Sequence, residues 1–294
     1  MNGILCLDKP QEMTSFLCCA VARRLLGVKK IGHAGTLDPM ATGVLPLLVG
    51  NATRALEWLP VHDKRYVATL RFGCTSDTQD VWGTLTPTGK PLPSLADIER
   101  ALSAFRGAIS QVPPMMSALK KDGVRLYELA RQGVEIEREA RPVTIYSLDI
   151  VDWDPAAGEL TLDCTCSKGT YIRSLCHDLG QALGGVGAVM TALRRTMAAG
   201  YGLDSCVTLE QARELAADGT LPQRLLPVDS AFAVYPAITV TPAQSVRFGN
   251  GGALALDRLK EPVCGLTRVY GADGAFLGLG SPQDEELRVA RLFL

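Results

Sequence analysis

The amino-acid sequence predicts an α+β protein with a large domain of interspersed strands and helices and a smaller β-rich domain after it. Alternating apolar segments, typical of half-buried strands, lie between segments with helix-capping signals. After Pro227 the character changes, and short β-prone runs with many glycines continue to the end of the chain. A chain of 294 residues also exceeds the usual size of one domain. We therefore expect domains at residues 1–234 and 235–294.

Local signals predict most elements of the large domain. Thr14 and Ser15 can cap a helix that Gly27 ends, and residues 208–211 form a capping-box pattern. Side chains alternate along residues 65–73, which predicts a half-buried strand. In chain order we expect strands at 4–7, 46–50, 65–73, 143–153 and 159–166, and helices at 15–26, 94–105, 127–132, 170–179, 208–217 and 242–247.

The charge is nearly balanced overall but uneven along the chain. The net charge of −1 argues against a general polyanion binder. Residues 21–54 nevertheless carry five basic residues against one acid, and residues 165–200 carry four against one. If these regions converge in the fold, they form the positive surface that a phosphate backbone requires. The alternative is that each is a solvated face.

The nine cysteines and the start of the chain favour a reduced, cytoplasmic protein. Asp8 and Lys9 interrupt the short apolar start, so we expect no secretory signal peptide. Cys164 and Cys166 have strand spacing with no second pair nearby, which argues against a zinc site. No apolar run is long enough to predict a membrane span, so we expect no membrane association.

Residues 30–45 form a glycine-rich segment that contains a single carboxylate, Asp38. Glycines at 32, 35 and 43 permit backbone conformations that other residues avoid, and Pro39 biases Asp38 away from the helical region. The segment therefore indicates a rigid loop that presents one acid. Taken alone, Leu-Asp-Pro is also compatible with a turn in which the aspartate caps its own backbone.

Residues 32–45 resemble the catalytic loop of the bacterial TruB-type tRNA pseudouridine synthases, Gly-His-x-Gly-Thr-Leu-Asp-Pro-x-Ala-x-Gly-Val-Leu. Four further segments resemble motifs of that family in the same order, at residues 3–10, 63–66, 112–120 and 167–173. The resemblance covers about the first 200 residues firmly and the rest weakly. It implies a mixed, antiparallel-rich sheet with flanking helices, followed by a small PUA-like β-barrel that binds RNA.

The resemblance also implies a reaction, the conversion of uridine to pseudouridine at position 55 in the T-loop of tRNA. This isomerisation requires neither a cofactor nor a metal. Asp38 matches the catalytic aspartate, and the residues leave open whether it attacks C1′, attacks C6 or assists a glycal route. Arg173 matches its ion-pair partner, and Tyr66 matches the tyrosine that stacks on the target base. Each also has an ordinary structural interpretation, as a surface arginine and a core tyrosine.

The remaining site residues implied by the resemblance contact the substrate. His33 is expected to fill space in the T-loop as the uridine flips out, and Lys64 to touch a phosphate. Lys168, Tyr171 and Leu193 complete the set, Leu193 as an apolar pocket residue. The expected partner is the T-loop and stem of tRNA, with a monomeric enzyme and no obligate protein partner.

Two other functions are compatible with parts of the sequence. One is an RNA-binding or tRNA-folding protein with little or no turnover, an activity that can coexist with catalysis. The other is an aspartyl-phosphate hydrolase, which requires a metal-binding carboxylate cluster near Asp38. The nearest acids along the chain are Glu12 and Glu57, which argues against the hydrolase.

Overall fold

The computed structural model describes residues 1–121 and 123–294. The strands are β1 (Gly3–Lys9), β2 (Ile31–His33), β3 (Thr42–Val49), β4 (Lys64–Phe72), β5 (Cys74–Ser76), β6 (Leu85–Pro87), β7 (Gly107–Gln111), β8 (Lys120–Lys121), β9 (Val124–Arg125), β10 (Arg141–Asp154), β11 (Glu159–Cys166), β12 (Ala188–Ala198), β13 (Tyr201–Gly202), β14 (Val207–Thr208), β15 (Ala237–Thr239), β16 (Leu254–Ala255), β17 (Thr267–Tyr270), β18 (Phe276–Gln283) and β19 (Glu286–Leu292). The α-helices are α1 (Ser15–Leu26), α2 (Leu95–Leu102), α3 (Leu126–Arg131), α4 (Ile172–Ala182), α5 (Leu209–Ala217) and α6 (Pro242–Gly249).

A ten-stranded sheet forms the centre of the first part of the chain. Its main order is β14-β1-β3-β12-β4-β11-β10-β7, with β2 paired to β3 and β13 paired to β12. The pairs β1–β14 and β3–β12 are parallel, and the other pairs are antiparallel. The expected mixed, antiparallel-rich sheet with flanking helices is thus confirmed.

Strand β12 is the main element that the sequence analysis missed. It lies between β3 and β4 in the middle of the sheet. Its sequence, AVMTALRRTMA, is rich in residues that favour helix in isolation. Pairing with strands on both sides overrides that local preference.

The helix signals located α1 and α5 well. The Thr14 hydroxyl accepts from the amide of Leu17, Gly27 takes the left-handed conformation at the end of α1, and the capping box of α5 is present. The buried face of α1 is formed by Cys18, Cys19 and Ala22, whereas Phe16 is exposed. Other boundaries were wrong by a few residues. The apolar strand predicted at 46–50 spans Thr42–Val49, because its first residues pair with β1 and β12.

The C-terminal part forms a five-stranded sheet in the order β15-β17-β18-β19-β16. It is a curled half-barrel, consistent with a PUA-like domain. Phe232, Phe276 and Phe293 pack together at its junction with the large sheet, with ring centroids 5.4–6.2 Å apart. The same hydrophobic cluster contains Ile4 and Leu48 of the large sheet. Apolar burial therefore links the two sheets.

Two further findings concern the cysteines and the membrane. Within the described residues, all nine cysteines are free thiols, and Cys164 and Cys166 lie buried in β11. None of the helices in residues 1–121 and 123–294 has both the length and the apolar character needed to cross a bilayer.

Candidate active site

Asp38 lies in the loop between β2 and β3, which bends back on itself immediately after the aspartate. The amide of Ala41 donates to the Asp38 carbonyl at 3.0 Å and closes this turn. Gly43 follows with φ +105°, and a Cβ there would overlap the backbone carbonyl of Arg195. Only glycine fits this close approach of β3 to β12.

Arg173 holds the Asp38 carboxylate. Its Nε donates to Asp38 Oδ2 at 2.9 Å, and the two side chains are 5% and 35% exposed respectively. The same guanidinium donates from Nη1 to the Thr78 carbonyl at 3.1 Å and from Nη2 to the Met116 carbonyl at 2.7 Å. Each of its three nitrogens is therefore engaged. The Asp38 carboxylate is thus bonded to a buried cation while part of it stays open to solvent.

Arg173 is positioned by the anchored start of α4. The side-chain amide of Gln111, on β7, donates to the Tyr171 carbonyl at 3.0 Å and accepts from the Tyr171 amide at 2.8 Å. These two bonds fix the backbone just before the first turn of α4. Arg173, the second residue of that helix, is directed at Asp38 as a result.

A second carboxylate, Asp80, lies beside the same arginine. Its Oδ2 is 3.9 Å from Arg173 Nε, and its Oδ1 accepts from the Thr78 hydroxyl at 2.7 Å and from the Trp82 amide at 3.0 Å. The sequence analysis missed Asp80, because it compared acids by distance along the chain. In the described part of the chain, no group of three or more His, Cys, Asp or Glu side chains is arranged to hold a metal ion.

Tyr66 and Leu193 line one face of the sheet at the site. Tyr66 of β4 pairs with Arg195 of β12, and Leu193 pairs with Ala68, so all four side chains share a face. Tyr66 is only 6% exposed. Burial raises the pKa of its hydroxyl to about 12, the charge of Asp38 adds to this, and the nearby Arg195 guanidinium opposes it. Tyr66 therefore keeps its proton at neutral pH.

Arg195 bonds the backbone of the loop that carries Asp38. It is fully buried, and its guanidinium donates to the carbonyls of Val44 at 2.8 Å, Gly35 at 3.1 Å and Thr36 at 3.3 Å. The sequence analysis counted Arg195 among cations available to a phosphate backbone. Its burial, like that of Arg173, removes it from that surface.

Lys9 and Ser15 bond the backbone of the same loop next to Asp38, at Pro39 and Leu37 respectively. The buried Lys9 ammonium donates to the carbonyls of Met13 at 2.7 Å, Pro10 at 2.8 Å and Pro39 at 3.2 Å. Burial lowers the pKa of Lys9 to about 8. The Ser15 hydroxyl bonds both backbone groups of Leu37. The residues on each side of Asp38 are thus tied to other elements.

His33 and Lys64 are the predicted RNA contacts nearest to the loop. Burial, and then the charge of Arg195, lowers the pKa of each below its ordinary value. The buried Nδ1 of His33 has no hydrogen-bond partner among the described residues. A neutral imidazole fits this environment.

Lys168 and Tyr171 lie between β11 and α4 and line a cavity of about 310 Å³. Arg141 lines the same cavity. Burial raises the pKa of the Tyr171 hydroxyl, and the charge of Arg173 opposes this. The structure thus brings Asp38, Arg173 and Tyr66 to one site and places Lys168 and Tyr171 at an adjoining cavity.

Solved structures share this fold. A Cbf5-Nop10-Gar1 complex matches with a TM-score of 0.75 and 25% identity, over 99% of this chain and 85% of the solved chain. An H/ACA RNP bound to a substrate RNA containing 2′-deoxyuridine matches with a TM-score of 0.74 and 23% identity, over 99% of this chain and 85% of the solved chain.

Sequence comparison defines the class and then the family. Residues 23–172 match "TruB family pseudouridylate synthase (N terminal domain)", residues 173–233 match "tRNA pseudouridylate synthase B C-terminal domain", and residues 236–293 match "Pseudouridine synthase II TruB, C-terminal". The class is therefore that of the pseudouridine synthases. The chain belongs to the TruB family.

Three relatives that match over most of their length are each named tRNA pseudouridine synthase B. The protein of Syntrophotalea carbinolica is 46% identical over 90% of this chain and 85% of its own length. The protein of Pseudomonas aeruginosa is 43% identical over 97% of this chain and 93% of its own length. The protein of Escherichia coli O1:K1 / APEC is 41% identical over 97% of this chain and 92% of its own length.

Proposed function

We propose that this protein converts uridine to pseudouridine at position 55 in the T-loop of tRNA. Its relatives are named tRNA pseudouridine synthase B, which supports tRNA as the substrate. The observation that carries the catalytic assignment is the 2.9 Å bond from Arg173 to an aspartate that is still open to solvent.

In this reaction the N1–C1′ bond breaks, the uracil turns, and a C5–C1′ bond forms. The proton on C5 leaves, and N1 gains one, so the atoms balance without another reactant. Asp38 is the carboxylate that acts on the sugar or the uracil ring. Arg173 bonds one carboxylate oxygen of Asp38 and thereby fixes the direction of the other. Because each of the three guanidinium nitrogens of Arg173 already has a partner before substrate arrives, little reorganisation is required during the reaction.

Tyr66 and Leu193 hold the detached uracil against the sheet. Tyr66 supplies an aromatic surface for the ring, and Leu193 supplies an apolar one. Because the pKa of Tyr66 is raised to about 12, its hydroxyl is a poor base at neutral pH, and its role is contact with the ring.

The target uridine has to leave the folded T-loop before Asp38 can reach it, at a cost of a few kcal/mol. His33 offsets part of this cost by filling the vacated space. Lys64 and Lys168 contact phosphates of the T-loop and stem, and Tyr171 packs beside the adjoining cavity. Lys64 lies against Gly35 of the Asp38 loop, and Lys168 lines the adjoining cavity, so both are near the surface that the RNA has to approach.

We also propose that the enzyme is monomeric and cytoplasmic and acts without an obligate protein partner. Residues 1–234 form the catalytic domain, and residues 235–294 form a PUA-like domain that binds RNA. The second domain carries six basic and six acidic residues. Its contribution to affinity therefore comes from shape and hydrogen bonds more than from net charge.

The test is turnover by Asp38→Asn on tRNA labelled with tritium at C5 of uridine. We expect tritium release to fall at least about 10³-fold, because the substitution removes the acting carboxylate. Binding of the tRNA should persist. Asp149→Asn, an exposed acid on β10, is the matched control and should release tritium at the wild-type rate.

A second control is a tRNA whose T-loop uridine is replaced by cytidine, which should release no tritium from that position. If the wild-type protein binds unmodified tRNA but releases no tritium, catalysis is refuted. An RNA-binding or tRNA-folding protein then explains the result better.

A further inference from the structure

Trp82 is an exposed aromatic residue in the connection between β5 and β6. Its side chain is 51% exposed. The two other tryptophans pack against the protein, Trp153 on the Phe72 ring at 5.8 Å and Trp58 within the hydrophobic cluster that joins the two sheets. Trp82 is thus the tryptophan available to another molecule.

A chain of three polar contacts connects Trp82 to the catalytic carboxylate. The Trp82 amide donates to Asp80 Oδ1 at 3.0 Å, Asp80 Oδ2 is 3.9 Å from Arg173 Nε, and Arg173 Nε donates to Asp38 Oδ2 at 2.9 Å. The exposed ring therefore belongs to a residue at the edge of the site. The same connection also supplies the Thr78 carbonyl to Arg173.

The backbone around Trp82 is fixed. The Val81 amide donates to the Met190 carbonyl at 3.0 Å, and the Met190 amide donates to the Gln79 carbonyl at 3.1 Å. Gln79 itself has φ +65°, a conformation that persists in non-glycine residues only when the surroundings impose it. Little backbone freedom is therefore lost when the Trp82 ring contacts a ligand.

We propose that Trp82 stacks on an unpaired base of the RNA next to the target uridine, a role that rests on the proposed function. Splayed bases in RNA loops are recognised by stacking on aromatic side chains. The exposed Asp77 and the buried Asp80 lie in the same connection and disfavour a phosphate there. The nucleobase is the part of the RNA that fits an aromatic ring among carboxylates.

Tryptophan fluorescence tests this stacking directly. The full-length protein is titrated with a T-arm stem-loop RNA, and we expect quenching that disappears in Trp82→Phe. A quench of equal size in Trp82→Phe assigns the signal to Trp58 or Trp153 and overturns the proposal.

Affinity gives the second measurement. Stacking on an aromatic residue contributes about 1–3 kcal/mol per base, so Trp82→Ala should weaken RNA binding roughly 5- to 160-fold. Most of the loss in kcat/KM should lie in KM, and Trp82→Phe should restore most of the affinity. Val151→Ala, which shortens an exposed apolar side chain on β10, is the control and should bind as the wild type does.

The outcomes separate this proposal from the enzyme assignment. Wild-type affinity in Trp82→Ala, with tritium release intact in the parent, refutes stacking and leaves the enzyme assignment standing. Equal loss in Trp82→Ala and Trp82→Phe also refutes stacking, since a second aromatic ring would then fail to replace the first. Absence of tritium release by the parent refutes the enzyme assignment, whereas the fluorescence titration still measures stacking.

Discussion

The loop that carries Asp38 and the C-terminal five-stranded sheet are held in place by different interactions. Buried cations bond the loop through directional contacts to backbone carbonyls, from Arg195 to Gly35 and Thr36 and from Lys9 to Pro39. The C-terminal sheet is joined to the large sheet by aromatic packing around Phe232. The difference teaches that the geometry of the Asp38 loop depends on a few bonds, whereas attachment of the second sheet depends mainly on apolar packing.

Among the variants that test this comparison, Arg173→Met should have the largest effect, because one side chain bonds the carboxylate and two backbone carbonyls. Loss of a preorganised electrostatic contact at a reacting group typically lowers kcat by about 10²–10³-fold. Arg173→Lys should rescue little, because a lysine has one nitrogen in place of the three coplanar nitrogens that reach the three acceptors. Single-turnover tritium release measures both variants. Near-normal turnover in Arg173→Lys would show that charge alone is sufficient.

Phe232→Ala tests the aromatic packing that joins the C-terminal sheet to the large sheet. Truncation of a buried aromatic residue costs about 3–5 kcal/mol, and Phe232 is fully buried among other rings. We expect a lower urea midpoint, with kcat unchanged under conditions where the variant is folded. A large fall in kcat of the folded variant would mean that packing at the junction also sets the catalytic geometry.

The adjacent residues Arg195 and Arg194 allow a buried arginine that supports the loop to be compared with an arginine in a surface ion pair. Arg195→Met removes the donor from three carbonyls, of which that of Val44 is buried, and should lower the free energy of unfolding by about 2–4 kcal/mol. Arg194 bonds Asp8 at 2.7 Å with its side chain 42% exposed, so Arg194→Met should cost about 1 kcal/mol or less. Urea unfolding measures both. Equal losses would contradict the proposed division between a buried support and a surface ion pair.

The same comparison explains what could be predicted from the sequence. The start of α1 and the capping box of α5 depend on neighbouring residues, so local patterns located them. The Asp38 loop was found because its glycines and its acid are adjacent in the chain. These are short-range features.

The misses arise from contacts between distant segments. Strand β12 is made of residues that favour helix, and only its position between β3 and β4 makes it a strand. The 3.9 Å approach of Asp80 to Arg173 depends on the fold of two separate elements. The burial of Arg195 likewise depends on carbonyls about 150 residues away. No spacing rule along the chain encodes such contacts.

His33 allows a smaller test of how tightly the loop region excludes charge. Burial and Arg195 lower the pKa of its imidazole in the folded protein below the ordinary value of about 6.5. As the pH falls through about 6.5, the unfolded chain therefore takes up this proton first, and the free energy of unfolding decreases until the folded form is protonated as well. His33→Gln removes that contribution. We expect the variant to lose less stability than the wild type between about pH 8 and about pH 5.5, measured by urea unfolding. His62, whose pKa is also lowered, remains in both proteins and leaves part of the slope in each. An equal or steeper slope in His33→Gln would mean that the folded protein accommodates the His33 proton, which would contradict a neutral imidazole beside Arg195.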